Sequence, residues 1–279
     1  MSFSFFIIIL FSLLICNSAY DLSEEKIAKL DEMIESQRKL AKLHTVGLIV
    51  TNKNKTIHAK IYGEDNKVNN NTPFIIGSLS KSFTAMALLK LKIDINSTLD
   101  KFNLKENIDE EHAKKTTVGQ LLNHTSGLER FSGKFAYEQG VYSYSNYGYG
   151  LLGKIIESKC EKNYHDCMKG LIFNPLGMNN TNAKYLEDII DSYDNFLGFR
   201  TKYTSLKSEI GDGFYIPAGY ISTTILDMGR YLRLFLNNES EEYKDYKEYI
   251  EQMTKKTIKI EDNYYYGMGL DIMKKINKI

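Results

Sequence analysis

The sequence predicts an α/β body, α+β in arrangement, with an inserted helical subdomain. Three observations carry that expectation. A charged amphipathic pattern over residues 22–43 runs into two β-branched runs separated by a polar turn. The middle, about residues 117–236, reads as helical segments cut by glycine-containing turns. A strand pattern returns over residues 264–273. Strands at both ends around a helical centre make one layered domain with an insertion, and no repeat or linker divides the chain.

Leu22 to Leu43 places Ile27, Leu30, Ile34 and Leu40 near one helix face, with Ser23 as its N-cap. Val46 to Thr51 and Thr56 to Tyr62 read as strands, and Asn52-Lys53-Asn54-Lys55 as the turn of a β-hairpin. Asp65 to Asn71 is a polar loop. Ser78 to Leu91 turns helical, with Phe83, Met86, Ala87 and Leu89 available for burial. Asn174-Pro175-Leu176-Gly177 is a break, and Ile225 to Leu236 is another amphipathic helix. Glu239 to Glu251 reads as a solvated helix face, and Tyr264 to Met273 as one late strand.

With 279 residues the chain can bury one sizeable core. A formal net charge of +1 favours neither nucleic acid nor an anionic membrane surface. Met1 to Ala19 lacks charged side chains, and Phe5 to Cys16 is apolar apart from Ser12. That run is short for a membrane span and is followed by small residues, so it is read as a cleaved signal peptide. An uncleaved anchor is the alternative. Residues 20–279 are then one secreted, extracellular domain, with the helical subdomain over about 92–238. Cys160 and Cys167 remain after cleavage, as a local disulfide or as two buried thiols. Triplets at Asn54, Asn70, Asn96, Asn123, Asn179 and Asn238 fit glycosylation in that route.

The chemistry sits in two short motifs. Ser78-Leu-Ser-Lys81 opens the apolar helical run, and Tyr144-Ser-Asn146 follows 66 residues after Ser78. Positions i and i+3 share a helix face, so the Lys81 amine reaches the Ser78 oxygen. Such a lysine serves as a base once desolvation or nearby cations lower its pKa. Tyr144 could share the proton transfer, and Asn146 could hold Lys81. Spacing alone is not specific: Ser36-Gln-Arg-Lys39 and Tyr193-Asp-Asn195 match equally well. The bland reading is a capping serine, a surface lysine and a core tyrosine. The five histidines are scattered, and no phosphate loop is present, so neither a metal nor a cofactor is expected.

The wider context is more specific. Phe74-Ile-Ile-Gly-Ser-Leu-Ser-Lys-Ser-Phe-Thr-Ala85 resembles the nucleophile segment of the serine β-lactamase-related family, which includes class C β-lactamases, D-stereospecific peptidases and esterases. Leu121-Leu-Asn-His-Thr-Ser-Gly-Leu128, Tyr144 to Gly153, Phe173 to Met178, Pro217 to Thr224 with Asp227, and Tyr266-Gly-Met-Gly269 resemble further family segments in the same order. The resemblance spans roughly residues 25–270. It implies a β-lactamase/transpeptidase-like antiparallel sheet body with Ser78 as nucleophile, Lys81 and Tyr144 as base system and Asn146 as orienting amide. The Ser78 backbone N–H would be one oxyanion donor. The implied function is hydrolysis of a small-molecule or peptide amide or ester through an acyl-Ser78 intermediate.

Two departures qualify that expectation. No Lys-Thr-Gly or His-x-Gly triplet follows Gly269, and Lys256-Thr257-Ile258 precedes the strand and lacks the glycine. The family's last strands and closing helix are also missing, which would leave the 46–62 hairpin with an exposed edge and an uncovered face. The alternatives are therefore a secreted pseudoenzyme or binding protein of the same fold, or part of a longer hydrolase. The segment after Leu91 is shorter than the family's usual helix end.

Overall fold

The computed structural model describes residues 22–63, 68–106, 108–186, 193–196, 199–202, 211 and 213–273. The expected leader over residues 1–19 lies outside them, as do residues 65–67 of the expected polar loop.

In chain order the regular elements begin with α1 (Glu24–Leu40), β1 (Thr45–Thr51), β2 (Thr56–Gly63) and β3 (Phe74–Ile75). A 3-10 turn at Gly77–Leu79 leads into α2 (Ser80–Lys90). The central part holds α3 (Glu110–Ala113), α4 (Val118–Leu122), α5 (Asn146–Cys160) and α6 (Tyr164–Met168), with a π turn at Lys169–Phe173. It continues with the hairpin β4 (Tyr193–Phe196) and β5 (Phe199–Lys202), then a π turn at Ile216–Tyr220. The last elements are β6 (Ser222–Thr223), α7 (Ile225–Leu236), α8 (Lys247–Met253), β7 (Ile258–Glu261), β8 (Tyr264–Tyr266) and β9 (Asp271–Met273).

Ser23 caps α1, its hydroxyl accepting from the Lys26 N–H at 3.4 Å. The helix is joined to β1 by Arg38, which is buried. Arg38 donates to both Glu35 oxygens at 2.8 Å and to the Leu43 carbonyl at 2.7 Å. A buried guanidinium with paired donors fixes the turn between the two elements.

The expected β1–β2 hairpin forms, with Gly47 opposite Ile61 and Ile49 opposite Ala59. Asn52 makes the turn, its side-chain oxygen accepting from the Asn54 and Lys55 N–H groups at 2.8 Å. The expectation of an uncovered face is corrected by the packing. Period-two alternation sends Gly47 and Ile49 toward α7, where a Cβ on Gly47 would lie 2.6 Å from Ile225. The opposite face of β2 meets α1, whose Asp31 accepts from His58 at 2.7 Å, from Lys60 at 2.5 Å and from Tyr62. Burial works against ionisation of Asp31, but the Lys60, Tyr62 and His58 hydrogen bonds outweigh it and hold its carboxyl at about 2.

The core is organised around α2. Only Phe83, Met86, Ala87 and Leu89 are expected to be buried there, yet every residue from Ser80 to Leu89 is buried. Its small polar residues are satisfied internally, which lets the helix sink. Ser82 donates to the Leu79 carbonyl at 2.8 Å, and Thr84 donates to the Pro217 carbonyl at 2.8 Å. Phe83 stacks on Tyr231 of α7 with centroids 3.9 Å apart.

Two late elements differ from expectation. Residues 239–251 do not simply present a solvated face: Tyr243, Tyr246 and Ile250 are buried, as is Met253 just beyond them. Their spacing is a helical stripe, and α8 packs it against α2. The single late strand is instead two, β8 and β9, turning back at Gly267–Leu270 to pair antiparallel with each other, and β8 also pairs antiparallel with β7. Cys160 and Cys167 are free thiols, the second buried and the first half-buried.

Candidate active site

Three elements converge to build the site. β3 pairs antiparallel with β6, Ile75 opposite Ser222, and the Ile76 N–H donates to the Ile221 carbonyl at 3.0 Å. This ties the segment entering Ser78 to the segment leaving Ala218. Gly77 takes a φ of +54°, the left-handed turn that swings Ser78 to the head of α2. On the other side, Ser145 caps α5 by accepting from the Gly148 N–H at 3.1 Å, which places Tyr144 before the helix and Asn146 in its first turn.

The residues singled out in the sequence meet. Tyr144 donates its hydroxyl hydrogen to Ser78 Oγ at 2.6 Å. Lys81 Nζ lies 3.3 Å from Ser78 Oγ, 2.8 Å from Asn146 Oδ1 and 2.5 Å from the Ala218 carbonyl oxygen. The matching decoys do not join them: Ser36 and Lys39 are exposed on α1, and Tyr193 to Asn195 lie on β4.

Lys81 is 1 % exposed, and among the described residues no carboxylate is bonded to it. Burial, aided by the nearby Arg130 cation and opposed by Asp271, holds its pKa well below the ordinary lysine value. A neutral amine has two N–H donors and one lone pair. Asn146 Oδ1 and the Ala218 carbonyl can accept both donors, so the lone pair is left facing Ser78 Oγ. Tyr144 moves the other way: burial raises its pKa, while the Ser78 hydrogen bond and Arg130 oppose the shift. The site therefore sets an amine whose pKa is lowered and a phenol whose pKa is raised around one hydroxyl.

A second layer supports Tyr144. His124 is wholly buried at a φ of +61°. Its Nδ1 accepts from the Ser145 N–H at 3.1 Å, so Nε2 carries the hydrogen and donates to the Tyr266 hydroxyl at 3.1 Å. Burial, then Lys81 and Arg130, hold its pKa well below the usual histidine value. The ring lies 4.3 Å from Tyr144 and 5.2 Å from Tyr149. This neutral ring is bonded at both nitrogens and holds the Ser145 backbone beside Tyr144.

Arg130, Ala218 and Tyr266 are partners that motif reasoning did not single out. Arg130 places its guanidinium carbon 5.3 Å from the Tyr144 ring centre, and its carbonyl accepts from the Asn146 N–H at 2.9 Å. The Ala218 contribution is a backbone oxygen, which no side-chain pattern signals.

Gly269 backs α2 from behind. A Cβ there would lie 2.6 Å from the Lys81 carbonyl oxygen, at a φ of +72°. Gly269→Ala is expected to destabilise the fold by about 2–3 kcal/mol, combining backbone strain with displacement of the first turn of α2. Thermal unfolding beside the wild type measures it; an unchanged midpoint would mean the turn can retreat freely.

Comparison with known proteins places this geometry. The beta-lactamase family model matches residues 30–276. Beta-lactamase-like protein 4 of Dictyostelium discoideum is 28 % identical over 260 residues, covering 76 % of this chain and 46 % of the relative. Penicillin-binding protein 4* of Bacillus subtilis (strain 168) is 30 % identical over 164 residues, covering 47 % of this chain and 35 % of its own. The octameric penicillin-binding protein homologue from Pyrococcus abyssi superposes with a TM-score of 0.73 at 25 % identity, covering 88 % of this chain and 64 % of that one. The chain thus spans about half or less of the length of these two curated relatives. The fold is that of β-lactamases and transpeptidase-like proteins, mixed helices with antiparallel sheets, and the chain belongs to the beta-lactamase family.

Proposed function

We propose that the protein is a serine hydrolase that cleaves an amide or ester bond through an acyl-Ser78 intermediate. The observation that carries this reading is Ser78 Oγ held between a desolvated lysine and a tyrosine, at 3.3 and 2.6 Å.

Neutral Lys81 takes the Ser78 proton as Oγ attacks the substrate carbonyl. The developing oxyanion is stabilised by the Ser78 N–H, which lies in the first turn and lacks an intrahelical acceptor. As the tetrahedral intermediate collapses, Tyr144 gives its proton to the leaving atom and recovers one from protonated Lys81. In net, one proton has moved from Ser78 to the leaving group by way of Lys81 and Tyr144, which both return to their starting states. In the second half, water gives a proton to the Lys81–Tyr144 pair, attacks the acyl carbon, and Oγ regains its proton. Asn146 holds the amine on line throughout. A small or peptide substrate suits this reading, together with a secreted location.

The pH profile tests the assignment. Activity requires neutral Lys81, so it should rise as pH increases through the depressed lysine pKa. It should then hold until Tyr144 loses its proton above its usual value. Hydrolysis of p-nitrophenyl acetate followed from acid to alkaline pH should show a burst of nitrophenol and this plateau. Activity rising only near the ordinary lysine value would remove Lys81 as base. Ligand binding without a burst would instead mark a binding protein of the same fold.

A further inference from the structure

The α5–α6 junction brings two thiols together, independently of the hydrolase reading. Cys160 is the last residue of α5, and Glu161 reverses the chain at a φ of +57°. Asn163 caps α6 by accepting from the Asp166 N–H at 2.9 Å. Glu157 on α5 accepts from the Tyr164 N–H at 2.8 Å, so the start of α6 is bonded back to the last turns of α5. This fold-back points Cys167 at α5. Its sulfur lies 3.5 Å from the Lys162 carbonyl and 3.9 Å from the Ile156 carbonyl, one helical turn before Cys160. Cys160 lies near enough to the Cys167 thiol to help push its pKa up, after burial.

We propose that Cys160 and Cys167 are a redox pair that closes to a disulfide by exchange with a low-molecular-weight disulfide, clamping the end of α5 to α6. Cys160 is half-buried and reachable, whereas Cys167 is buried. The order of steps follows from that difference. The Cys160 thiolate attacks the small disulfide, a mixed disulfide forms at Cys160, and one small thiolate leaves. The Cys167 thiolate then attacks the Cys160 sulfur, forming the protein disulfide and releasing the second small thiolate. The small disulfide is reduced to two thiols, and the protein loses two hydrogens. Burial, with Cys160 beside it, pushes the Cys167 thiol up to about 12, so its deprotonation limits the second step. The fold-back that sets the Cys167 sulfur 3.9 Å from the Ile156 carbonyl, one turn before Cys160, brings the two residues to the same junction.

The test is exposure of the natural protein to excess oxidised glutathione, followed by maleimide alkylation and peptide mapping. The expected product is a crosslinked Cys160–Cys167 peptide, lighter by two hydrogens and refractory to maleimide. Closure should accelerate about tenfold per pH unit near neutrality, tracking the thiolate fraction of Cys167. Cys167→Ser should stall at the glutathione adduct on Cys160. The closed form should melt several degrees higher, reversed by dithiothreitol. Wild-type protein that stops at the Cys160 adduct and never closes even at alkaline pH, or in which both thiols still take maleimide, would overturn the proposal.

Discussion

Ser78→Ala is expected to lower ester turnover by on the order of 10^4 to 10^6, the loss typical of removing a covalent nucleophile. The oxygen that Tyr144 and Lys81 both contact disappears, and neither partner can replace it. The fold should survive, because Ser78 sits in the 3-10 turn before the buried helix and its side chain, among the described residues, bonds Lys81 and Tyr144 alone. Circular dichroism and thermal melting would separate the two effects: an unchanged melt with lost turnover is the expected result. Turnover within tenfold of wild type would mean that another group attacks.

The second large effect belongs to Lys81. Lys81→Met keeps the length and apolar stem of the side chain and removes the lone pair. Turnover should fall by about 10^2 to 10^4, the usual worth of general base catalysis. The remaining activity should lose the acid limb of the pH profile, since no group titrates in its place. Stability links to pH through the same group. Its folded pKa lies below its unfolded value, so the unfolded state binds more protons between the two. Wild-type stability should therefore rise with pH across that window, and this rise should shrink in Lys81→Met. Turnover that survives the substitution, with its acid limb intact, would assign the base elsewhere.

Much of this was legible because local rules and tertiary structure agree. The α1 pattern, the Asn52 turn and the β-branched runs of the hairpin each specify their own geometry, and they form with little shift. The four site residues were legible only as a set in context, since the same spacings recur at Ser36–Lys39 and Tyr193–Asn195. What was not legible depends on packing. Helix α2 reads as one-sided, yet it is buried all round because Ser82 and Thr84 satisfy themselves on carbonyls at Leu79 and Pro217. The residues of α8 look solvated because two of its four buried anchors, with the preceding turn, are tyrosines. The single late strand becomes two because Gly269 must cross behind Lys81. The Ala218 carbonyl and the Arg130 cation carry no motif, so only the fold reveals them.

The most direct test of the central claim is covalent labelling of the natural protein with a serine-reactive fluorophosphonate, read by intact mass and peptide mapping. The account predicts a single adduct on the peptide containing Ser78, absent in Ser78→Ala and much slower in Lys81→Met. Unlabelled wild-type protein, or an adduct on any other serine, would contradict it.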